Sequence, residues 1–231
     1  YQIAHGYQDI YLIDTVGNVL YTASEQHVGE NIFSEGYGFR NLQQAYRTAL
    51  DTGGSALSDY GVYGADRQKI SHFIARTVED DDTGEEIGVL IFELPYKQLD
   101  SYMQSRFGLG ESGQTYLVGA DSLLRSTLRL FKDAPLLETR IETTLFRNWL
   151  EEHEQWHRLY DQSPESHFPP PRSTKETIYT NYQGIPVLGM YSSLEFLNKW
   201  GIHWVLVAEV NKKDAFAEAT SLKYIAKASC S

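Results

Sequence analysis

GLGESGQTYLVGADSLLRS, Gly108 to Ser126, opens on a glycine-rich turn and runs into an apolar strand from Gln114 to Val118. A tight Gly-Ala-Asp-Ser reversal follows, and a second apolar strand leaves through Leu123 and Leu124. Glycine supplies the left-handed backbone angles such turns need, and Asp and Ser close them by bonding to their own backbone. The stretch therefore reads as a strand–turn–strand hairpin near the middle of the chain. It decides the fold because the chain contains it twice.

YLIDTVGNVLYT, Tyr11 to Thr22, is the other copy, with a Val-Gly-Asn turn between two strands. Laid on Tyr116 to Thr127, it puts Tyr11 on Tyr116 and Leu20 near Leu124. Further on, ISHFIARTV (Ile70 to Val78) pairs with IPVLGMYSSL (Ile185 to Leu194), and VLIFELPYKQL (Val89 to Leu99) with VLVAEVNKKDAF (Val205 to Phe216). Three pairs in the same order at nearly constant separation indicate one unit used two times.

Each copy has a hairpin, a variable helical segment and then strands joined by short turns such as Asp81-Asp82-Thr83-Gly84 and Tyr182-Gln183-Gly184. In the first copy the helical segment is Phe39 to Leu50, with Phe39, Leu42, Tyr46, Ala49 and Leu50 on one face. This order predicts an α+β fold of two tandem PAS-like modules, each a central antiparallel sheet flanked by helices. The modules are expected at residues 1–104 and 105–231, with a connecting helix from Leu94 to Phe107 entered through Pro95. The second carries a helical insertion at about 137–173, where Ile141, Leu145, Phe146, Trp149, Leu150, Trp156 and Tyr160 share a face. A Ser/Pro-rich loop, Ser163 to Ser173 with Pro169 to Pro171, ends it.

Composition sets outer limits on function. A hydrophobic content of 42% with 13% aromatic supports real cores. The net charge of −11 argues against a nucleic-acid partner, which needs Lys and Arg concentrated on one face. No apolar run approaches the about 20 residues that span a bilayer, and no signal peptide is visible. An opening at Tyr1 without Met reads as a piece of a longer chain. The single cysteine, Cys230, excludes an internal disulfide framework. Sixteen tyrosines favour half-buried surfaces such as small-ligand pockets.

Two motifs invite chemistry. Gly108 to Gly113 spells G-x-G-x-x-G, but a dinucleotide site needs a strand before and a helix after, and here the order is reversed. His153 to His157 spells H-E-x-x-H on a predicted helix, so His153 and His157 could hold Zn²⁺ with Glu154 as general base. Asp161, Glu165 and His167 are the candidates for a third ligand. Charged flanks at Glu151, Glu152 and Arg158, and histidines bordering the apolar stripe, favour packing over a catalytic metal. The acidic run of Asp80 to Asp82 with Glu85 and Glu86 reads as a solvated turn. Nothing in the chain specifies catalysis, no cofactor is implied, and a metal-dependent hydrolase is the secondary reading.

A binding pocket is the primary one. Glu93 lies inside Gly88-Val-Leu-Ile-Phe-Glu-Leu, on the same strand face as Val89 and Ile91. A carboxylate in an apolar strand needs a partner, either a ligand or an internal cation. Its counterpart in the second copy, Glu209, keeps a structural role open. Asp59, Tyr60, Tyr63, His72 and Phe73 are the expected neighbours, aromatic walls with a few polar groups, with core packing the alternative for each ring.

YLIDTVGNVLYT, SDYGVY (Ser58 to Tyr63), the quoted hairpin, YQGIPVLGMYSSL (Tyr182 to Leu194) and WGIHWVLVAEVNKKDAFA (Trp200 to Ala217) together resemble the double-Cache family of bacterial extracytoplasmic sensor domains. The family occurs in chemoreceptors and sensor histidine kinases. The resemblance implies two stacked PAS-like modules, flanking transmembrane helices, a periplasmic location in an inner-membrane receptor, and an output domain in the cytoplasm. It implies that the distal module takes a small molecule, that Glu93 is similar to the acid that receives the ligand ammonium, and that the receptor works as a homodimer. The sequence departs from the amino-acid-binding pattern at one point. The Trp that accompanies a carboxylate-binding Arg there is missing, the first Trp being Trp149 and the nearest Arg being Arg67. A cationic or neutral ligand fits that departure. The chain is accordingly expected to be the non-enzymatic sensor of a signalling receptor, a histidine kinase first, or a structural module without a ligand.

Overall fold

The computed structural model describes residues 6–35, 38–63, 69–104, 109–162 and 176–217, apart from the side chains of Tyr63 and Asp161. Arg67, Phe107, Gly108, the Ser163 to Ser173 loop with Glu165 and His167, and Cys230 lie outside these residues. The chain divides into two units, Tyr1–Leu99 with Lys199–Ile202 and Asp100–Asn198 with His203–Ser231.

In the first unit, β1 (Asp9–Asp14) and β2 (Val19–Thr22) form the expected hairpin. Asp14 closes its turn, accepting from Val16 N at 3.0 Å and Asn18 N at 2.8 Å. Helix α1 (Arg40–Thr52) buries Asn41, Leu42, Ala45, Tyr46 and Ala49. It stops at Gly53, whose φ of 59° is a left-handed C-cap that a side chain would strain. Strands β3 (Ser55–Leu57), β4 (Gly61–Tyr63), β5 (Lys69–Glu79) and β6 (Glu86–Pro95) complete an antiparallel sheet of order β2-β1-β6-β5-β3, with β4 also on β5. Tyr11, Ile13, Phe73, Ala75, Val89 and Ile91 line one face of this sheet and pack with Phe39, Leu42 and Tyr46 into a single core. The period-2 alternation of β1, β5 and β6 places all six on that face.

In the second unit, β7 (Gln114–Gly119), β8 (Thr177–Thr180), β9 (Pro186–Ser193) and β10 (Trp204–Asn211) pair antiparallel in the order β7-β10-β9-β8. That is the order β1-β6-β5-β3 of the first sheet without its β2. Within the described residues the units are therefore one α+β topology occurring twice. Helix α2 (Tyr96–Met103) precedes β7, helix α3 (Thr144–Gln162) lies between β7 and β8, and a short helix α4 (Lys212–Ala215) follows β10. No helix among the described residues is long and apolar enough to cross a membrane.

Several expectations shift in detail. The arm through Leu123 and Leu124 makes only isolated bridges, Val118 to Leu124 and Leu123 to Arg140, instead of a strand. Two backbone bonds, Gly119 N to Leu123 O at 3.0 Å and Arg125 N to Leu117 O at 2.8 Å, still hold it to β7. Side chains supplement them: Leu117 N donates to Ser126 Oγ at 2.9 Å, and Arg125 folds back on Leu123 O and Asp121, each at 2.9 Å. The helix expected from Leu94 begins at Tyr96, because β6 continues to pair with β5 as far as Pro95 opposite Ser71. The insertion helix starts at Thr144, where the hydroxyl of Thr143 accepts from Phe146 N at 3.2 Å. Its apolar face ends early: Trp149 is fully buried, whereas Tyr160 is 42% exposed.

Strand register aligns the two copies. Glu93 stands opposite Asp9 on β1 and Phe73 on β5, and Glu209 opposite Gln114 on β7 and Gly189 on β9. Matched in this way, Tyr11 falls on Tyr116 and Val89 on Val205. Ile70 falls on Pro186, one residue from Ile185, and Val19, which is buried, replaces the exposed Leu20 as the match for Leu124. A one-residue slip exchanges the two faces of a strand, so these small differences decide which side chains correspond.

Candidate functional site

The first unit's sheet brings two carboxylates together. Glu93 on β6 and Asp9 on β1 are direct cross-strand partners, 1% and 5% exposed, on the face that also carries Tyr11 and Phe73. Asp9 is held by Ser24, whose hydroxyl donates to Oδ2 at 2.6 Å and whose N–H donates to Oδ1 at 3.1 Å. Lys69 Nζ lies 3.0 Å from Glu93 Oε1, its own side chain half exposed. Burial pushes the Glu93 carboxyl above its ordinary range. Lys69 opposes the shift, the Asp9 charge adds to it, and the hydroxyl of Ser71 lowers it. Rings form the wall beside this group, with Phe73 meeting Tyr11 edge-on at 6.2 Å and Phe39 at 6.5 Å.

Of the residues singled out in the sequence, Glu93 and Phe73 lie side by side in adjacent strands. His72 points to the other face of β5, where its ring tilts against Tyr60 at 4.8 Å. Desolvation lowers the pKa of His72 to about 4, with the charge of Asp59 acting in the opposite sense. Asp59 and Tyr60, on the segment before β4, and His72 on β5 thus form a second cluster, and the two clusters are not on one face. The side chain of Tyr63 lies outside the description. Asn41 supports this edge from α1, donating to Ser71 O at 2.8 Å, and Gly61 has no room for a Cβ, which would stand 2.6 Å from Asn41. Asp9, Lys69 and Ser71 escaped sequence reading, although each falls on the Glu93 face by strict alternation from Tyr11 and Phe73.

The second unit answers the same burial problem from within. Glu209 is 3% exposed and accepts from Gln114 Nε2 at 2.8 Å, Asn181 Nδ2 at 3.0 Å, Tyr116 OH at 3.0 Å and the hydroxyl of Tyr179. Burial, followed by the charge of Glu209, holds both phenols well above their ordinary pKa, so they stay donors. Gly189, opposite Glu209, makes the fourth bond possible. A Cβ there would stand 2.8 Å from the Tyr179 ring and 2.9 Å from Ala208 O. The register-equivalent of Gly189 in the first unit is Phe73.

His153 is not at the border of the α3 stripe but inside it, buried and stacked on Trp149 at 4.9 Å. Desolvation, then the neighbouring imidazoles of His157 and His203, lower its pKa to about 4. The residue that joins the pair is His203, just before β10, while Glu154 faces solvent.

Comparison with known proteins bears on the fold. No protein-family profile and no curated protein sequence matches the chain. Solved structures do. The ligand-binding domain of the Pseudomonas fluorescens chemoreceptor CtaA in complex with L-isoleucine superposes with a TM-score of 0.56 at 18% identity, covering 94% of this chain and 74% of that one. That of the Pseudomonas aeruginosa amino acid chemoreceptor PctB in complex with L-Arg gives 0.55 at 17%, covering 94% and 71%. That of the Campylobacter jejuni chemoreceptor Tlp3 in complex with 4-methylisoleucine gives 0.56 at 12%, covering 92% and 68%. The fold of this chain is that of the Cache-type ligand-binding domains of bacterial chemoreceptors.

Proposed function

We propose that the chain is the extracytoplasmic sensor domain of a transmembrane signalling receptor, and that its first unit binds a small molecule through an ammonium group held on Glu93. One observation carries the reading. A carboxylate buried to 1% receives its cation from a lysine that reaches in on a half-exposed, flexible stem. A ligand ammonium can take the place of Lys69 Nζ, exchanging one charge-assisted bond for another, with Asp9 alongside to favour positive charge. Glu209 supports the contrast, since a carboxylate kept for structure is surrounded by four fixed donors of its own unit. The fold neighbours point the same way, because L-isoleucine, L-Arg and 4-methylisoleucine all carry an ammonium group.

The likeness supports a receptor input domain and favours a chemoreceptor output no less than the histidine kinase first expected. In either case the ligand acts through its difference in affinity for two arrangements of the domain. Helix shifts of about 1–2 Å are a known means of passing such a bias onward. Flanking transmembrane helices and a homodimer complete the proposal.

A thermal-shift screen of amines, amino acids, carboxylates and sugars tests it. A ligand at one hundred times its dissociation constant adds about 2.7 kcal/mol, roughly 5–10 °C for a domain of this size. An amine-bearing compound should shift the wild type and leave Glu93→Gln unmoved. Its affinity should also fall as pH drops through the raised Glu93 pKa. A panel without any shift, or one that shifts Glu93→Gln equally, overturns the reading.

A further inference from the structure

The second unit brings three histidines together. His153 and His157 are one turn apart on α3, so their rings lie on one face of the helix. His203, on the segment leading into β10, closes the triangle. The ring centroids are 4.5 Å apart for His153 and His157, 5.1 Å for His153 and His203, and 4.5 Å for His157 and His203. One nitrogen from each ring lies within 4.8 Å of those of the other two.

A tetrahedral Zn²⁺ with bonds of about 2.0–2.1 Å sets its ligand nitrogens about 3.3 Å apart. His157 Nε2 and His203 Nδ1 are already 3.2 Å apart. A hydrogen bond would explain that pair, but not the third ring. His153 is 5% exposed, and its Nδ1 is buried without a hydrogen-bond partner among the described residues. An unsatisfied buried nitrogen is unfavourable, and it faces no such penalty when a cation takes its lone pair. Trp149 and Trp156, which flank His153 at 4.9 and 6.4 Å, make an aromatic wall for the cluster. Asn198 Oδ1 lies 3.2 Å from His203 Nδ1, a separation that suits a fourth ligand.

We propose that His153, His157 and His203 form a site for a divalent transition-metal ion, Zn²⁺ in the first instance, which ties α3 to the start of β10. Three neutral imidazoles are the donor set that zinc and its neighbours in the series prefer. The site is distinct from the HExxH hydrolase arrangement, since Glu154 faces solvent and the third ligand comes from a distant part of the sequence. It is also independent of the Glu93 reading, because no residue is shared.

The test uses the untagged, chelator-stripped full chain. Titration of Zn²⁺ against a chromophoric chelator should give one equivalent per chain. Replacement by Co²⁺ should give the intense visible bands of a tetrahedral ion. His157→Gln and His203→Gln should each weaken binding tenfold or more. Cu²⁺ bound to the wild type should show nitrogen hyperfine structure from imidazoles by electron paramagnetic resonance, a readout that does not depend on either variant folding. Substoichiometric binding, equal affinity in both folded variants, or a copper spectrum of oxygen donors alone would overturn the site and mark any bound metal as adventitious.

Discussion

Glu93 and Glu209 occupy the same register position in the two sheets, so the same substitution should act on them with different sign. In Glu209→Gln the new amide keeps one accepting oxygen and turns the other into an NH₂ group. Two of the four donors now facing the carboxylate, drawn from Gln114, Asn181, Tyr116 and Tyr179, then lose their acceptor. Each buried polar group left unsatisfied costs about 1–3 kcal/mol, so a loss of about 2–6 kcal/mol is expected. In Glu93→Gln the counter-ion is a half-exposed lysine, and removing a poorly solvated charge offsets the lost ion pair. The expected change is within about 1 kcal/mol, and on the stabilising side at neutral pH. The linkage has a definite sign. A carboxyl whose folded pKa is raised contributes stability that is complete below the unfolded value of 4.5 and is lost as pH rises through the folded value. The advantage of Glu93→Gln should therefore appear only above that window and vanish at pH 4. Urea unfolding followed by tryptophan fluorescence and far-UV circular dichroism measures both variants. Trp149, Trp156 and Trp204 report on the second unit. Equal destabilisation by the two substitutions would refute the argument, since it would make Glu93 as structurally committed as Glu209.

Two further outcomes follow from the geometry. His72 is held neutral by burial, its pKa about 4 against an unfolded value of 6.5, so its contribution to stability is complete above pH 6.5 and is lost between pH 6.5 and 4. At 1.36 kcal/mol per pH unit this amounts to at most about 3 kcal/mol, and His72→Gln should flatten that limb of the stability–pH curve; an unchanged slope in urea titrations would show that the imidazole is solvated. Gly189→Ala should cost about 1–3 kcal/mol by pushing the Tyr179 ring off Glu209. A shift of the ultraviolet tyrosine titration toward ordinary pKa values would accompany it, and a wild-type titration would show that the phenol does not depend on the missing side chain.

How legible the molecule was in its sequence depended on whether the signal was local. The hairpins, α1, α3 and the long strands follow from periodicity and turn chemistry, and the duplication exposed the repeat of topology without any contact being known. Glu93 was found because a carboxylate within an apolar run breaks the pattern. Asp9 and Lys69 were missed for the opposite reason: each is at a strand end, where a charge breaks no pattern, and only register brings it to Glu93. The split of His72 from Phe73 was in principle visible, because adjacent strand residues face opposite ways. His203 had no such signal. It comes to the HExxH helix only through the packing of α3 against the sheet, and three alternatives close in sequence, Asp161, Glu165 and His167, were named before it.

On the proposed reading, the two copies keep a buried acid for two purposes. In the second, a glycine opposite the carboxylate admits Tyr179, and Gln114 stands where the first copy has Asp9. Every oxygen lone pair that matters is then committed to a donor fixed by the same unit. In the first, Phe73 fills the glycine position and excludes such a tyrosine, while Asp9 adds negative charge where Gln114 would have donated a bond. Those two exchanges act in one direction. They remove internal donors, raise the local demand for a cation and leave a mobile lysine to meet it. Under the proposal, such a site holds Lys69 when empty and gains from a ligand whose ammonium is better placed than the end of a lysine side chain. Asp9→Gln alone, which supplies the donor type found at Gln114 and leaves Phe73 in the core, should therefore weaken amine binding while leaving the sheet intact by circular dichroism. Unchanged binding in that variant would mean that the ammonium is held somewhere other than Glu93.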